Sequence, residues 1–518
     1  MAADPRFGRE ALQLHYFFAA ERFPDGGSPL LRVLWETCAQ AGMDDFPGGG
    51  DPALPSSSLA PGLGYLSFGR RRDATRMRQA VLYRLNDVIG LTVMLAAEEG
   101  FGRTPARSAQ VLHGLERTWD TACRRAAGVV GHRGDDDPSA LGTVRAYRSL
   151  VRPGTATLPA DLPVVGEALR RELAPSARLS RPVEPGDGLA LWEIRRPARG
   201  VPAGRSLLLT APADDHHEGL LDDWSWTAAQ DGLVPLTRYL IHAAVLRDQY
   251  RIRLESSEQL DRRLQDLRRQ GDELTRSWQE LLTDSLERPR TGRRDLVRWE
   301  SLAVRAQRVL AEERLAGSTS GALQVMARTV DVAGTGMRVL GTGADGQPRT
   351  LDSDEECRAR LTAALDDDLA YLSVAREQVA EAARVAAESA AQRLQSHQQH
   401  LTLIQTTVIG ALLMTLTAVQ ALEYRLPLPG RLHAPLITTL GSLGLGLPLL
   451  VLRRWRAGAG GRLSSFLELF SMIAMGAAVG WLVGSAVGHT APAVVAGAVL
   501  SGAAGWWMTR RPDRPAPA

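Results

Sequence analysis

The chain has 518 residues, 44% hydrophobic and 23% charged, so it is long enough for several domains and apolar enough to fold most of its length. Its formal net charge is only +3, which gives no overall attraction to nucleic acid. All 61 basic residues are arginine, and this excludes chemistry that needs a lysine, such as a P-loop, a protein-kinase strand or a Schiff base.

Three cysteines, Cys38, Cys123 and Cys357, lie far apart with no C-x-x-C. That spacing argues against a disulfide framework or a zinc ribbon and fits a reducing compartment. The first ten residues, MAADPRFGRE, lack the apolar run of a secretory signal.

In chain order, residues 12–20 read as a strand, and residues 30–41 as a helix through Leu31, Leu34, Trp35 and Cys38. Residues 42–72, rich in Gly, Pro and Ser, read as loop. Residues 81–97 read as a hairpin turning at Asn86 and Asp87, residues 108–127 as a helix, and residues 189–195 and 206–211 as two more strands. The order strand, helix, strand, strand, helix gives an α+β region with a split, ferredoxin-like sheet.

Between Leu236 and Glu423 only Pro289 and Pro348 interrupt the chain, which predicts three long helices. Leu236, Tyr239 or Leu240, Ala243, Leu246, Tyr250, Leu254, Ser257, Leu260, Leu264, Leu267, Gly271, Leu274, Trp278 and Leu281 fall on a seam of threes and fours in the first. The second carries Leu296, Trp299, Leu302, Ala306 and Leu310 on one face. The third starts near Ser353 as N-cap, with Glu355 and Glu356 in its first turn, and has no stop before residue 401.

Four charge-free runs follow, at 401–422, 434–452, 469–488 and 491–508. About 20 apolar helical residues cross a bilayer, so the sequence predicts a four-helix transmembrane domain. Arginines cluster in the second loop and in the tail, which places both termini in the cytoplasm of a multi-pass protein of the inner (cell) membrane. Gly476, Gly480, Gly484 and Gly488 form one ridge, and Gly497, Ser501 and Gly505 another. Small residues at this spacing serve close helix packing or contacts within a homo-oligomer. The organisation read from the sequence is thus residues 1–215 as an α/β cytoplasmic region, 232–400 as a long-helix coiled-coil stalk, 401–508 as four transmembrane helices and 509–518 as a basic tail.

Asp214, Asp215, His216, His217, Glu218, Asp222 and Asp223 form the densest cluster of potential metal ligands, but their spacing matches no metal motif and reads as a solvated loop. Cys123, in Ala-Cys-Arg, has the type of a nucleophile with His113 or His132 as base, yet it falls inside a helix. Asp135, Asp136 and Asp137 read as loop acids, and Asp366, Asp367 and Asp368 as residues on the third helix. Gly334, Gly336 and Gly341 have the wrong spacing for a dinucleotide fingerprint. No catalytic, cofactor-binding or metal-ligating set emerges, so the chain reads as a non-enzyme without a cofactor.

Several stretches together resemble the CATRA (caspase and TPR repeat-associated) family of bacterial conflict systems. They are Val81–Leu95, Tyr239–Arg247, Met326–Ala333 and Leu365–Leu372, together with Leu14–Phe18 and Leu31–Gly42. The resemblance spans residues 10–400. It implies an actinobacterial setting, caspase-like and TPR proteins as partners, and a role in antiphage defence or programmed cell death. With the lipid bilayer as a further partner and no nucleic acid, the function expected is a membrane-anchored sensor, effector or scaffold. The alternatives are a channel or transporter with a large cytoplasmic domain, and an enzyme with an unrecognised site.

Overall fold

The computed structural model describes residues 5–23, 28–47, 64–98, 100–130, 137–152, 158–186, 188–196, 204–226, 232–287, 293–340, 350–424, 432, 434–440, 442 and 462–510. By internal contacts the chain divides into two units, Met1–Arg262 with Ser318–Leu372, and Arg263–Gly317 with Ser373–Ala518.

The first unit is built on a nine-stranded mixed sheet. Its strands are β1 (Arg6–Ala19), β2 (Tyr65–Arg72), β3 (Arg78–Leu85), β4 (Val88–Ala96), β5 (Phe101–Arg103), β6 (Ala140–Arg152), β7 (Arg178–Leu179), β8 (Ala190–Arg195) and β9 (Gly204–Pro212). The spatial order is β2-β3-β4-β1-β6-β9-β8-β7, with β5 on β1. Every neighbouring pair is antiparallel except β6 and β9, which run parallel. The β3–β4 turn falls at Asn86 and Asp87, and Asn86 adopts a left-handed φ of 52°, a conformation asparagine tolerates better than most residues.

The compact ferredoxin-like sheet expected from the sequence is therefore corrected to a larger mixed sheet. β6 was not recognised because Arg145 and Arg148 interrupt its apolar pattern. Arg145 pairs with Glu116 and Asp120, and the largely buried Arg148 pairs with Asp222. β2 lies at the end of the segment read as loop.

The sheet's two faces differ in chemistry. Along β1, side chains alternate between them. Leu12, Leu14 and Phe18 join a buried apolar cluster with α1 (Pro29–Gln40), α2 (Pro105–Val130) and α3 (Leu158–Leu173), including Leu31, Trp35, Leu112, Trp119, Leu169 and Trp192. Trp119 Nε1 donates to the Tyr16 hydroxyl at 2.8 Å, which satisfies the indole N–H in an apolar setting.

The opposite face is more polar. Gln13 donates to Ser225 on α4 (Asp215–Ser225) at 3.3 Å, and buried Arg148 and Arg205 also lie on the sheet. Three long helices follow, α5 (Pro235–Glu287), α6 (Arg293–Leu340) and α7 (Asp352–Tyr424). Their parts in the first unit bury Leu236, Leu240, Leu246, Val330, Met337, Leu361 and Leu365.

In the second unit, Leu264, Leu267 and Leu274 of α5, Trp299, Leu302, Ala306 and Val309 of α6, and Ala375, Val379, Ala383 and Ala386 of α7 are buried, at steps of three, four or seven. Trp278 Nε1 donates to Ser389 Oγ at 3.1 Å. Val379 packs on Gly271, where an added Cβ would meet its Cγ2 at 2.9 Å.

Among the described C-terminal residues, 434–440 are helical, and α8 (Arg462–Val487) and α9 (Thr490–Arg510) pack against each other. Their contact stripe is made of small residues. A Cβ on Gly480 would meet Ala493 O at 2.3 Å, and one on Gly497 would meet Gly476 O at 2.2 Å. Residues 401–422 form the end of α7, while 443–452 of the second run lie outside the described residues.

Among the described residues, no helix is long and apolar enough to cross a membrane. This overturns the expected four transmembrane helices and the multi-pass placement in the inner membrane, and leaves the bilayer as a partner without support. In α8 and α9 glycine, alanine and serine residues serve the contact between the two helices.

Candidate functional site

The acidic, histidine-containing segment lies on α4 and is accounted for by local structure. Asp214 is the N-cap and accepts from the His217 backbone N–H at 2.9 Å. That hydrogen bond is the main cause of the lowered Asp214 pKa, as expected for a carboxylate at a helix start. Glu218 pairs with Arg9 and Asp222 with Arg148. Among the described residues, no group of three or more His, Cys, Asp or Glu could hold a metal ion.

Cys123 sits half-buried on α2, and burial pushes its thiol up to about 11. A nucleophilic cysteine needs a shift in the opposite direction. His113 pairs with Glu116 at 3.4 Å on the same helix, and His132 lies outside the described residues. Asp137 accepts from Ser28 Oγ and the Leu30 backbone N–H at 2.6 and 3.2 Å, so it secures the start of α1. Asp135, Asp136 and Gly341 lie outside the described residues. Asp368 pairs with Arg253, while Asp366 and Asp367 are exposed. Gly334 and Gly336 lie on α6 and allow close approach of Arg358 and of the His242 ring.

The densest chemistry is a buried charge cluster on the polar face of the sheet. Glu193 on β8 accepts from Arg205 Nε on β9 at 2.9 Å. Arg205 Nη2 donates to Asp354 on α7 at 3.1 Å. Asp354 also accepts from Arg247 of α5, at 3.0 and 2.9 Å, and from the Tyr239 hydroxyl at 2.8 Å. The same hydroxyl accepts from the Leu351 backbone N–H at 3.1 Å. Ser353 is not the cap expected from the sequence. It lies in the first turn of α7, donates to Glu193 and accepts from Arg247 at 3.0 Å.

Two carboxylates thus face two guanidiniums out of water. Burial alone would raise the Glu193 pKa, but Arg205, Arg247 and the hydrogen bonds from Ser353 and Arg205 outweigh it and bring it down to about 2. Burial would lower the Arg205 pKa, and Asp354 and Glu193 more than reverse that. Burial and the nearby Asp354 raise Tyr239 well above its usual range. Glu193 and Arg205 therefore stay charged at neutral pH, and a matched set of this kind fixes geometry more than it adds stability.

A second polar chain crosses the same face. His15 Nδ1 lies 3.1 Å from Thr92 Oγ1, which lies 3.4 Å from the Tyr83 hydroxyl. Burial lowers the His15 pKa to about 3, so the ring is neutral. Tyr83 and Thr92 also line a cavity of about 30 Å³ with Trp226 and Val234, room for about one water. Sequence reading found neither group, because their members lie far apart in the chain and match no motif. The only signal was Asp354, a third acid beside Ser353 at a helix start.

Residues 11–229 match the family model described as the CASPASE and TPR Repeat-Associated N-terminal domain, and residues 234–379 match that of the corresponding C-terminal domain. The boundary falls between α4 and α5. The buried cluster draws Glu193 and Arg205 from the first match, and Tyr239, Arg247, Ser353 and Asp354 from the second. No curated protein and no solved structure matches the chain.

Proposed function

Because the chain belongs to the CASPASE and TPR Repeat-Associated family, we propose that it is a non-enzymatic component of a bacterial conflict system, a sensor or scaffold that binds caspase-like and TPR-repeat partner proteins. The observation that carries this reading is the buried cluster of Glu193, Arg205, Arg247 and Asp354. It spends four buried charges on holding β8 and β9 against α5 and α7. Within the first unit it makes one body of two family-matched segments, as a protein that presents a fixed surface to partners requires.

The groups with nucleophile or metal-ligand chemistry support the same reading. Cys123 has a raised pKa, and the α4 acids are committed to a cap and to ion pairs. The test is capture of partners by the tagged full chain from cells that also express a caspase-like and a TPR-repeat protein encoded beside it. The proposal expects at least one to be retained by the wild-type chain and lost with Asp354→Asn. Retention of neither overturns it, as does hydrolysis of a peptide or nucleotide by the purified chain that Cys123→Ser or His217→Ala abolishes.

A further inference from the structure

The α6 helix carries a second apolar series besides the one it buries. In the second unit Trp299, Leu302, Ala306, Val309 and Ala316 face inward and are buried. Val297, Val304 and Ala311 follow one another at seven-residue steps on the outward side, and Leu315 stands one turn beyond Ala311. Val297 is 57% exposed, Val304 53% and Leu315 69%. The step continues along the same helix at Val325, Val332 and Val339, each more than half exposed. Seven-residue spacing keeps side chains on one face of a helix, and it is the spacing at which a second helix interdigitates.

The outward position of a helix packed on its other side is ordinarily polar. Here charge flanks the apolar series instead. Arg308 and Arg314 are exposed on either side of Ala311 and Leu315, and among the described residues neither meets a carboxylate. Glu300 shares the face between Val297 and Val304.

We propose that the outward face of α6 from Val297 to Leu315 is a docking seam for an amphipathic helix of a partner protein, with apolar residues at heptad spacing and carboxylates beside them. The spacing selects a helix as the occupant, and Arg308 with Arg314 select an acidic one. The inference rests on the partner-binding reading above. TPR repeats are built from paired helices, so the TPR-repeat partner of that reading consists of the element that fits the seam.

The test uses the full chain and two synthetic four-heptad peptides with leucine at a and d. One has glutamate at e and g, the other lysine, and like charges at these positions keep each peptide from pairing with itself. Each peptide carries a photo-crosslinker, and crosslinks are mapped by mass spectrometry. The seam predicts crosslinks of the glutamate peptide within residues 297–318, at least ~10-fold weaker binding of the lysine peptide, and loss of binding in Val304→Glu/Leu315→Glu. Both positions are exposed, so the variant should fold, and an unchanged circular dichroism melt would verify that. Arg308→Glu/Arg314→Glu should reverse the preference between the peptides. Equal binding of both peptides, or crosslinks elsewhere, overturns the seam. Capture of a TPR-repeat protein that survives Val304→Glu/Leu315→Glu removes the seam and leaves the family-partner reading standing. Peptide binding at the seam without capture of any TPR-repeat protein does the reverse.

Discussion

Arg205 on β9 and Asp354 on α7 stand 149 positions apart in sequence and meet at 3.1 Å, with both side chains buried. Glu193 and Arg247 complete the set from β8 and α5. A buried, balanced cluster adds little stability over an apolar one, because desolvation offsets most of the attraction. Its effect on specificity is larger, since few alternative registers of the helices on the sheet would satisfy all four charges.

Removing one member unbalances the rest. Asp354→Asn leaves Arg205 and Arg247 facing Glu193 alone, and breaking a buried pair in this way costs roughly 3–5 kcal/mol. The urea midpoint of the full chain at neutral pH should fall accordingly. A loss below about 1 kcal/mol would show that the cluster does not hold α7 to the sheet.

Two groups make the fold acid-sensitive, in windows that overlap between about pH 4.5 and 3. His15 titrates at about 3 in the folded chain against 6.5 for the free side chain, so the unfolded chain takes up a proton first. Stability then falls as pH drops from 6.5 towards 3. Glu193 is depressed from 4.5 to about 2. Its contribution is complete above 4.5 and is lost as pH falls towards 2. His15→Gln should flatten the upper part of a stability–pH curve and leave the lower part in place. An unchanged slope between pH 6.5 and 4.5 would contradict the buried neutral imidazole.

The α8–α9 hairpin depends on missing side chains. A Cβ at Gly480 would lie 2.3 Å from Ala493 O, which is backbone and cannot swing aside. Gly480→Leu should therefore separate the helices at a cost of at least ~1–3 kcal/mol. Limited proteolysis should cut the variant within residues 462–510 well before the wild type. Equal protection would argue against the glycine contact.

Burial raises the thiols of Cys38, Cys123 and Cys357 to about 12, 11 and 11. Iodoacetamide at pH 8 should label all three at least ~10-fold more slowly in the folded chain than in urea, because only the thiolate reacts. Cys123→Ser should leave partner capture unchanged. Fast native labelling of Cys123 would reopen a nucleophilic role.

Local pattern was legible in the sequence wherever local chemistry decides structure. Leu12 to Ala20, the turn at Asn86 and Asp87, and the buried leucines from Leu236 to Leu274 each follow from propensity and period, while Leu254 of the same seam is 48% exposed. β6 was not legible, because Arg145 and Arg148 break its apolar alternation and find their carboxylates on other elements. The buried cluster was invisible for the same reason, since nothing near Arg205 in sequence announces Asp354. Of the glycines in the runs after residue 400, Gly476, Gly480 and Gly497 let the backbones of α8 and α9 approach closely.

The long separation of Arg205 from Asp354 also has a bearing on how the chain is made. A ribosome adding about 5–20 residues per second delivers Asp354 roughly 7–30 s after Arg205, a gap of 149 residues. During that interval β8 and β9 can pair, but Arg205 has only Glu193 for company and the polar face of the sheet stands open to water. The nascent chain is then most exposed to misfolding and to chaperones just before α7 emerges. A truncation ending before residue 354 should behave like that waiting state.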